Sequence, residues 1–262
     1  MTAAAGRALV TGGGKRLGRA MVLYLAQRGH DVAIHYASSA KEAAQTADEA
    51  RAFGVLAVTL KADLLLETET RSLVDQARAA LGGPLTVLVN NASTFDYDNI
   101  RTATRDSWDR NLGTNLRAPF VLTQGFARQV PPALRGPEGA RAQGLIVNML
   151  DQRVRKLTPE YMSYTIAKMG LWALTQTTAR ALAPDVRVNA IGPGSTLKGE
   201  KQRQRQFDDQ RATSVLERGA NPADITAALG YFLDASAVTG QLLCVDGGQH
   251  LGWKTPDIQG RG

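Results

Sequence analysis

Two residues four apart, Tyr164 and Lys168 in the segment SYTIAKMG (163–170), are the strongest chemical pair in the sequence. On a helix that spacing stacks them on one face, about one turn apart. An ammonium beside a phenol favours the phenolate, so the pair predicts a Tyr164 pKa below the usual value of about 10 and a side chain able to exchange a proton near neutral pH. A solvated helix face carries the same pattern, so the pair needs a site to act on. Such a site is indicated by Thr11-Gly12-Gly13-Gly14-Lys15-Arg16-Leu17-Gly18, which follows a β-rich run and opens a helical pattern with Met21, Leu23, Tyr24 and Leu25, closed by Gly29. Glycines there let the backbone approach a pyrophosphate, and the amides and dipole of a helix start bind its charge. A tight strand-to-helix turn without a ligand is the plainer alternative.

The end of the second β-rich run tells one dinucleotide from another. An acid there binds free ribose hydroxyls and repels a 2′-phosphate. After Ile34-His35-Tyr36 the chain instead gives Ala37-Ser38-Ser39-Ala40-Lys41, hydroxyls and a cation, with Arg16 expected to project toward the same side. NADP(H) is the expected cofactor. Ser38 or Ser39 would also cap the following helix. Ala62-Asp63-Leu64 and Asn90-Asn91-Ala92-Ser93 fall where adenine and the nicotinamide ribose would lie, although Asp63 also suits a turn.

The elements that must position these groups alternate. Ala8 to Thr11, Val32 to Tyr36, Val55 to Leu60, Leu85 to Val89, Leu145 to Met149, Val186 to Ile191 and Leu242 to Val245 read as strands, joined by mostly helix-sized connections. Apolar strands in a βαβα order predict an α/β fold: a Rossmann-like, doubly wound, seven-stranded parallel sheet with helices on both faces. Its 262 residues, 44% of them hydrophobic and 21% charged, suit one globular domain over 1–262. Pro131 to Gly144 reads as a loop, and the polar stretch Ser195 to Gly219, just past a strand's carboxyl end, reads as a substrate lid. With one cysteine, Cys244, and three histidines, His30, His35 and His250, no metal is expected. The net charge of +7 fits an anionic small molecule better than nucleic acid, because the basic stretch Lys198 to Arg205 has no aromatic residue for base stacking. No membrane span or secretory signal is visible, so a cytoplasmic location is expected.

Over nearly its whole length the chain resembles the short-chain dehydrogenase/reductase family. The resemblance is carried by TGGGKRLG at 11–18, Ala62-Asp63-Leu64, Asn90-Asn91-Ala92, Asn115 in a long helical pattern, Tyr164 with Lys168, Pro193-Gly194 and Val245-Asp246-Gly247-Gly248. It implies that Tyr164 is the general acid, that Lys168 binds the nicotinamide ribose and tunes Tyr164, and that Asn115 holds a water in a proton relay. The segment Val188 to Gly194 would wall the nicotinamide pocket. Cofactor contacts are implied at Gly12, Lys15, Arg16, Leu17, Gly18, Tyr36, Ser38, Ser39, Asp63, Leu64, Asn91, Ala92, Ser93, Tyr164, Lys168, Pro193, Gly194 and Ser195. Self-association as a homotetramer is implied too, through the helices bearing Asn115 and Tyr164, and the tail Gln249 to Gly262 would reach a neighbouring site.

Three departures narrow the reading. Arg16 stands where most members place a glycine, Phe95 follows Asn91-Ala92-Ser93-Thr94, and Asp151, thirteen residues before Tyr164, replaces the family's serine. A carboxylate opposes the negative charge that grows on a carbonyl oxygen during reduction. Reduction of a C=N bond needs a proton on nitrogen, which an Asp beside a Tyr can pass, and the same Asp accepts hydrogen bonds from ring N–H and amino groups. Asp151 would alternatively bind backbone amides of its own loop. With KRLG at 15–18, His35-Tyr36 and Ser39-Ala40, these residues resemble the pteridine reductase and dihydromonapterin reductase branch. That resemblance implies NADPH-dependent reduction of a dihydropterin, with Phe95 and the nicotinamide sandwiching the ring, Arg16 and Ser93 touching pterin or cofactor phosphate, and Asp151 and Tyr164 at the reacting nitrogen. The substrate is then a small molecule, pterin or folate-like, with no nucleic-acid or membrane partner. A carbonyl or 3-oxoacyl-carrier-protein reductase and a non-catalytic NADP-binding module are the competing readings.

Overall fold

In the computed structural model, which describes residues 5–199 and 202–253, seven apolar runs become parallel strands of one sheet. They are β1 (Gly6–Val10), β2 (His30–Tyr36), β3 (Ala57–Lys61), β4 (Val87–Asn90), β7 (Gly144–Met149), β8 (Val186–Pro193) and β9 (Leu242–Val245), and they lie in the order β3-β2-β1-β4-β7-β8-β9. Successive side chains point to opposite faces. Ala8, Val10, Val89 and Val147 therefore enter one apolar layer, and Leu9, Leu88, Ile146 and Val188 enter the other. Helices α1 (Arg16–Gln27), α2 (Ala40–Arg51) and α8 (Pro222–Asp234) cover the first layer, with Phe232 fully inside it. Helices α3 (Glu67–Ala80) and α5 (Ala118–Gln129) cover the second, anchored by Phe126, and α6 (Met162–Ala181) lies on the same side with α4 (Arg105–Leu112) against it. Burying one such phenylalanine contributes roughly 1.5–3 kcal/mol.

The sheet and its two helical layers match the sequence expectation, with local differences. The third and fourth strands start later than expected. The Leu56 amide donates to the Asp31 carboxylate, and the Leu85 amide donates to the Gln129 side chain, so these two N–H groups are diverted from the sheet. The segment read as a loop, 131–144, contains an exposed antiparallel ribbon, β5 (Leu134–Gly136) with β6 (Gly139–Arg141), because Gly139 takes φ +102° and lets the chain reverse. Asn115 lies in a π-helical turn, Gly113–Arg117, between α4 and α5. Pro119 has no amide hydrogen to give the carbonyl of Asn115 four residues earlier, so a regular α-helix cannot run through. The remaining helix, α7 (Gln204–Ala212), follows β8, and its Arg211 bonds to the Ser195 carbonyl just past that strand's carboxyl end. Among the described residues no helix is long and apolar enough to cross a membrane.

Strand order reverses between β1 and β4, and the crevice outside such a reversal is where open α/β sheets bind ligands. The groups discussed below come from the loops at that end and from the strands and helices that flank them.

Candidate active site

The glycine-rich turn leaves β1 and enters α1 in a conformation that side chains would block. Gly12 has φ +61°, and a Cβ on Gly18 would lie 2.1 Å from the Gly12 carbonyl oxygen. Two clamps hold the turn. The buried Thr11 hydroxyl accepts the amides of Asn91 and Ala92, each at 2.9 Å, while Asn91 Nδ2 donates to the Thr11 carbonyl at 2.8 Å. On the other side the Gly12 amide donates to His35 Nδ1 at 3.1 Å, and His35 Nε2 lies 3.0 Å from the Ala62 carbonyl. Burial lowers the His35 pKa, so the ring is neutral, and its partners assign the proton to Nε2.

The first turn of α1 differs from those of α4 and α8. Capping boxes close α4 at Thr104 with Ser107 and α8 at Asn221 with Asp224, whereas Lys15 at the start of α1 offers no cap and no acid follows it. The orphan amides of α1 are the donors that a phosphate takes. At the end of β2, Ser39 occupies the N-cap of α2 without making a side-chain cap bond, and Ser38 is exposed. The capping alternative therefore does not consume either hydroxyl. These features fit a phosphorylated dinucleotide.

Several expected contacts are arranged differently. Arg16 does not lean toward Ser38 and Ser39: it sits at φ +52°, unusual for a residue with a side chain, and its guanidinium donates to the carbonyls of Leu197 at 3.0 Å and Lys198 at 2.9 Å. Lys15 pairs with Glu42 at 2.7 Å. Asp63 forms the turn that was its alternative, accepting the Leu65 amide at 2.9 Å. Leu17 and Tyr36 pack on the first apolar layer and Leu64 belongs to the second, so backbone is what Leu17 and Leu64 have to offer a ligand.

Across the crevice, the β4 loop carries Ser93 and Phe95. Asn115 pins this loop through Nδ2, which donates to the Thr94 carbonyl at 3.0 Å and to the Asn111 carbonyl at 2.9 Å, while its Oδ1 accepts the Ser93 hydroxyl at 2.6 Å. Its amide is thus occupied with holding the loop. Phe95 is half exposed, but one face is covered: Tyr161 stacks on it with centroids 4.1 Å apart and planes within 7°. Only the opposite face is left for a substrate ring.

The structure brings Tyr164, Asp151 and Lys168 together. The Tyr164 hydroxyl donates to Asp151 Oδ2 at 3.0 Å, and Asp151 Oδ1 accepts the Arg153 amide at 2.8 Å. Asp151 thus binds a backbone amide of its own loop with one oxygen and meets Tyr164 with the other. Lys168 donates to the Met149 carbonyl at 2.8 Å and stands 5.5 Å from the Tyr164 ring. The expected lowering of the Tyr164 pKa is overturned. Burial first, and then the neighbouring Asp151 carboxylate, push the phenol well above its ordinary value, which an ammonium at this distance does not offset. Burial also raises Asp151, against the Arg153 amide, and lowers Lys168 to about 8, against the pull of Asp151. At neutral pH this is a protonated phenol in contact with a reluctant carboxylate, an arrangement able to give a proton and poor at removing one.

Sequence reasoning missed the network that aims this pair. Asp98, buried between α4 and α6, accepts the Ser163 amide at 3.0 Å, the Ser163 hydroxyl, and the Ser107 hydroxyl at 2.9 Å. Burial raises its pKa, but bonds from Ser163 and Ser107 outweigh it and hold the carboxyl below its usual range. Asn111 adds a bond to the Ser163 hydroxyl at 2.8 Å, so the residue next to Tyr164 is fixed by three bonds to two side chains. Nothing local in the sequence marks Asp98, because its partners are remote in the chain.

The stretch 195–219 closes on the far side. Arg211 of α7 donates to the carbonyls of Ser195 at 2.9 Å, Ala220 at 2.7 Å and Gly219 at 3.1 Å, tying the two ends of the stretch together. Pro193 ends β8, the Gly194 amide reaches the Val245 carbonyl at 3.3 Å, and the Ser195 amide reaches the Gln249 side chain at 3.2 Å. Of the tail expected to reach a neighbouring site, the part beyond Trp253 lies outside the described residues, as do 200 and 201 of the basic stretch.

Residues 14–250 match a family model described as Enoyl-(Acyl carrier protein) reductase. The chain is 29% identical to the 3-oxoacyl-[acyl-carrier-protein] reductase FabG of Staphylococcus aureus over 249 residues, 93% of this chain and 98% of that protein. Among solved structures, FolM alternative dihydrofolate reductase 1 from Brucella canis, complexed with NADP, is 41% identical with a TM-score of 0.89, covering 97% of this chain and 98% of that one. A short chain dehydrogenase from Burkholderia cenocepacia, also in complex with NADP, is 31% identical with a TM-score of 0.85, covering 94% and 98%.

Proposed function

This chain belongs to the short-chain dehydrogenase/reductase family and is an NADP-dependent oxidoreductase, and we propose that it reduces a C=N bond of a dihydropterin to give the tetrahydropterin. The observation that carries the reading is the Asp151 carboxylate 3.0 Å from the Tyr164 hydroxyl. A carbonyl reductase needs donors around the oxygen that gathers charge, and a carboxylate there works against it. A ring nitrogen needs a proton, and the pterin edge beside it presents N–H groups that a carboxylate accepts. The 41% identity to FolM, named an alternative dihydrofolate reductase, supports the same substrate class.

The cofactor, when bound in its reduced form, supplies the hydride. The residues around it divide the remaining work. The α1 amides and the Gly12 to Gly18 turn hold the pyrophosphate, with Lys15 and Arg16 adding positive charge, and Ser38 and Ser39 offer hydroxyls to the 2′-phosphate. Asn91, Ala92 and Ser93 on one side, with Pro193, Gly194 and Ser195 on the other, border the nicotinamide, and Lys168 faces its ribose. The free face of Phe95 receives the pterin ring, which Arg16 and Ser93 also border. Tyr164 delivers its proton to the ring nitrogen, with Asp151 orienting the hydroxyl and accepting the neighbouring N–H. Asn115 keeps the Ser93 to Phe95 loop in place. The stretch 195–219 serves as a lid, a reading supported by the bonds that Arg16 and Arg211 make to its ends. Self-association through α4, α5 and α6 is supported by Trp108, Phe120, Ile166 and Met169, which those helices leave exposed.

A second reading, a carbonyl or 3-oxoacyl-carrier-protein reductase, is favoured by the likeness to FabG and by the presence of Tyr164, Lys168 and Asn115 together. The two separate on one assay: NADPH oxidation with dihydropterins, dihydrofolate, ketones and a 3-oxoacyl thioester. Pterin turnover that collapses in Asp151→Ser supports the first. Turnover of carbonyl compounds alone replaces it with the second.

A further inference from the structure

We propose that Glu42 competes with the cofactor's 2′-phosphate for Lys15, so that this one carboxylate sets how strongly the protein prefers NADP(H) to NAD(H); the inference rests on the placing of that phosphate beside Ser38 and Ser39.

The first turn of α2 and the glycine turn form one surface. A Cβ on Gly14 would lie 3.0 Å from the Ala43 amide nitrogen and 3.1 Å from its Cα, and the buried Thr46 hydroxyl donates to the Gly14 carbonyl at 3.1 Å. Side chains that leave the two turns at their exposed edge therefore share one corner. Ser38 and Ser39 bring hydroxyls to it, Lys15 reaches it from the start of α1, and Lys41 and Glu42 belong to the first turn of α2.

Lys15 does not stand free in this corner. Its Nζ lies 2.7 Å from Glu42 Oε1, and the bond from Lys15 holds the Glu42 carboxyl below its ordinary range, so the carboxylate is ionised at neutral pH. Arg16, the other cation of the glycine turn, points elsewhere, to the carbonyls of Leu197 and Lys198. The turn thus brings one ammonium to the phosphate's side, and a carboxylate already holds it.

An acid in the first turn of a helix also suits the helix dipole, but any position of that turn serves the purpose. Position 42 adds the contact with Lys15. Its charge is unfavourable to the ligand, because a phosphate monoester carries about −1.5 to −2 at neutral pH and a carboxylate at the same cation repels it. Both side chains are about half exposed, 49% for Lys15 and 43% for Glu42, and ion pairs in water hold weakly. The phosphate can therefore displace Glu42, but it forfeits part of the attraction of Lys15 and stays beside an unpaired carboxylate. NAD(H), with a free 2′-hydroxyl, leaves the pair intact and forfeits nothing. The carboxylate narrows the gap between the two cofactors.

Calorimetric titration compares 2′,5′-ADP with 5′-AMP, which differ only in the 2′-phosphate, on the wild type, Glu42→Gln, Lys15→Gln and the double variant; no substrate is needed. Glu42→Gln is expected to tighten 2′,5′-ADP about ten-fold and to leave 5′-AMP within about two-fold. In the Lys15→Gln background the same substitution should gain about three-fold or less, because no cation is left to release. Weaker 2′,5′-ADP binding in Glu42→Gln overturns the competition and makes Glu42 a support that positions Lys15. Equal tightening of both ligands overturns it as well, since Lys15 then serves the pyrophosphate. Binding unchanged in Glu42→Gln but weakened in Lys15→Gln overturns the inference alone. Binding unchanged in both variants removes the 2′-phosphate from this corner, and its placing beside Ser38 and Ser39 falls with the inference. Melting temperatures of the variants within a few degrees of the wild type exclude misfolding as the cause.

Discussion

The Tyr164 hydroxyl donates to one oxygen of Asp151 at 3.0 Å while the Arg153 amide donates to the other at 2.8 Å, so a single carboxylate anchors its loop and holds the Tyr164 hydroxyl. Asp151→Asn separates the two duties. An asparagine keeps an acceptor for the Arg153 amide but can no longer hold negative charge against Tyr164. Pterin kcat/KM is expected to fall about 100-fold, the lower end of what a positioned acid–base group contributes, with NADPH affinity within two-fold of wild type. Steady-state kinetics and a cofactor titration read both. Full pterin activity in the variant would remove the carboxylate from the chemistry.

Lys168 sets an alkaline limit. Burial lowers its pKa to about 8, so the free protein loses this ammonium as pH rises through that value. The kcat/KM profile, which reports groups of the free protein, is expected to break near pH 8 and fall above it. The substitution Lys168→Arg keeps the positive charge through this range and should move the break upward. Denaturation is not the cause, because the linkage has the opposite sign. Between about 8 and the ordinary value of 10.5 the unfolded lysine still holds a proton that the folded one has lost, so this group's contribution to stability grows as pH rises through the window. Activity falling while the melting temperature holds or rises is the expected pair of results.

These two predictions rest on features of unequal legibility. The glycine turn could be read from the chain because its requirement is local: a positive φ at Gly12 and a close approach at Gly18 admit glycine and little else. The spacing of Tyr164 and Lys168 is likewise a property of one helix. The direction of the Tyr164 shift was not legible, since it depends on burial and on Asp151 coming close in space. Arg16 was read as a cofactor contact from its place in the turn, but its partners, the carbonyls of Leu197 and Lys198, are some 180 residues away in sequence. Tyr161 was not singled out, because nothing local in the sequence marks a left-handed backbone at that helix start.

Asp98 is expected to act through Ser163 without touching substrate. Asp98→Asn keeps the shape but turns one acceptor into a donor that faces the Ser163 and Ser107 hydroxyls or the Ser163 amide. One buried bond is then mismatched, at a cost of about 1–3 kcal/mol, or a melting temperature lowered by roughly 2–4 °C for each kcal/mol in a chain of this size. Because Ser163 precedes Tyr164, kcat should drop several-fold. NADPH affinity should not, since the glycine turn shares no bond with Asp98. Equal losses in kcat and in cofactor affinity would mark a general loosening and refute the positioning role.

Arg16 ties the β1 turn to the stretch that follows β8, and that tie can be cut. Both of its bonds go to backbone carbonyls, Leu197 at 3.0 Å and Lys198 at 2.9 Å, at an exposed surface. Each contributes about 0.5–1.5 kcal/mol net, so Arg16→Ala should let the stretch open about ten times more often. Opening exposes the bonds after Lys198 and Arg203 to trypsin, and cleavage in the open state tracks its population when closing is fast. Initial cleavage at these two sites is expected to accelerate about ten-fold in Arg16→Ala, while cleavage elsewhere keeps its rate. On the lid proposal, saturating NADPH should slow it in the wild type and slow it less in the variant. Cleavage rates at Lys198 and Arg203 that are the same with and without Arg16 would mean that the two carbonyl bonds do not hold the lid.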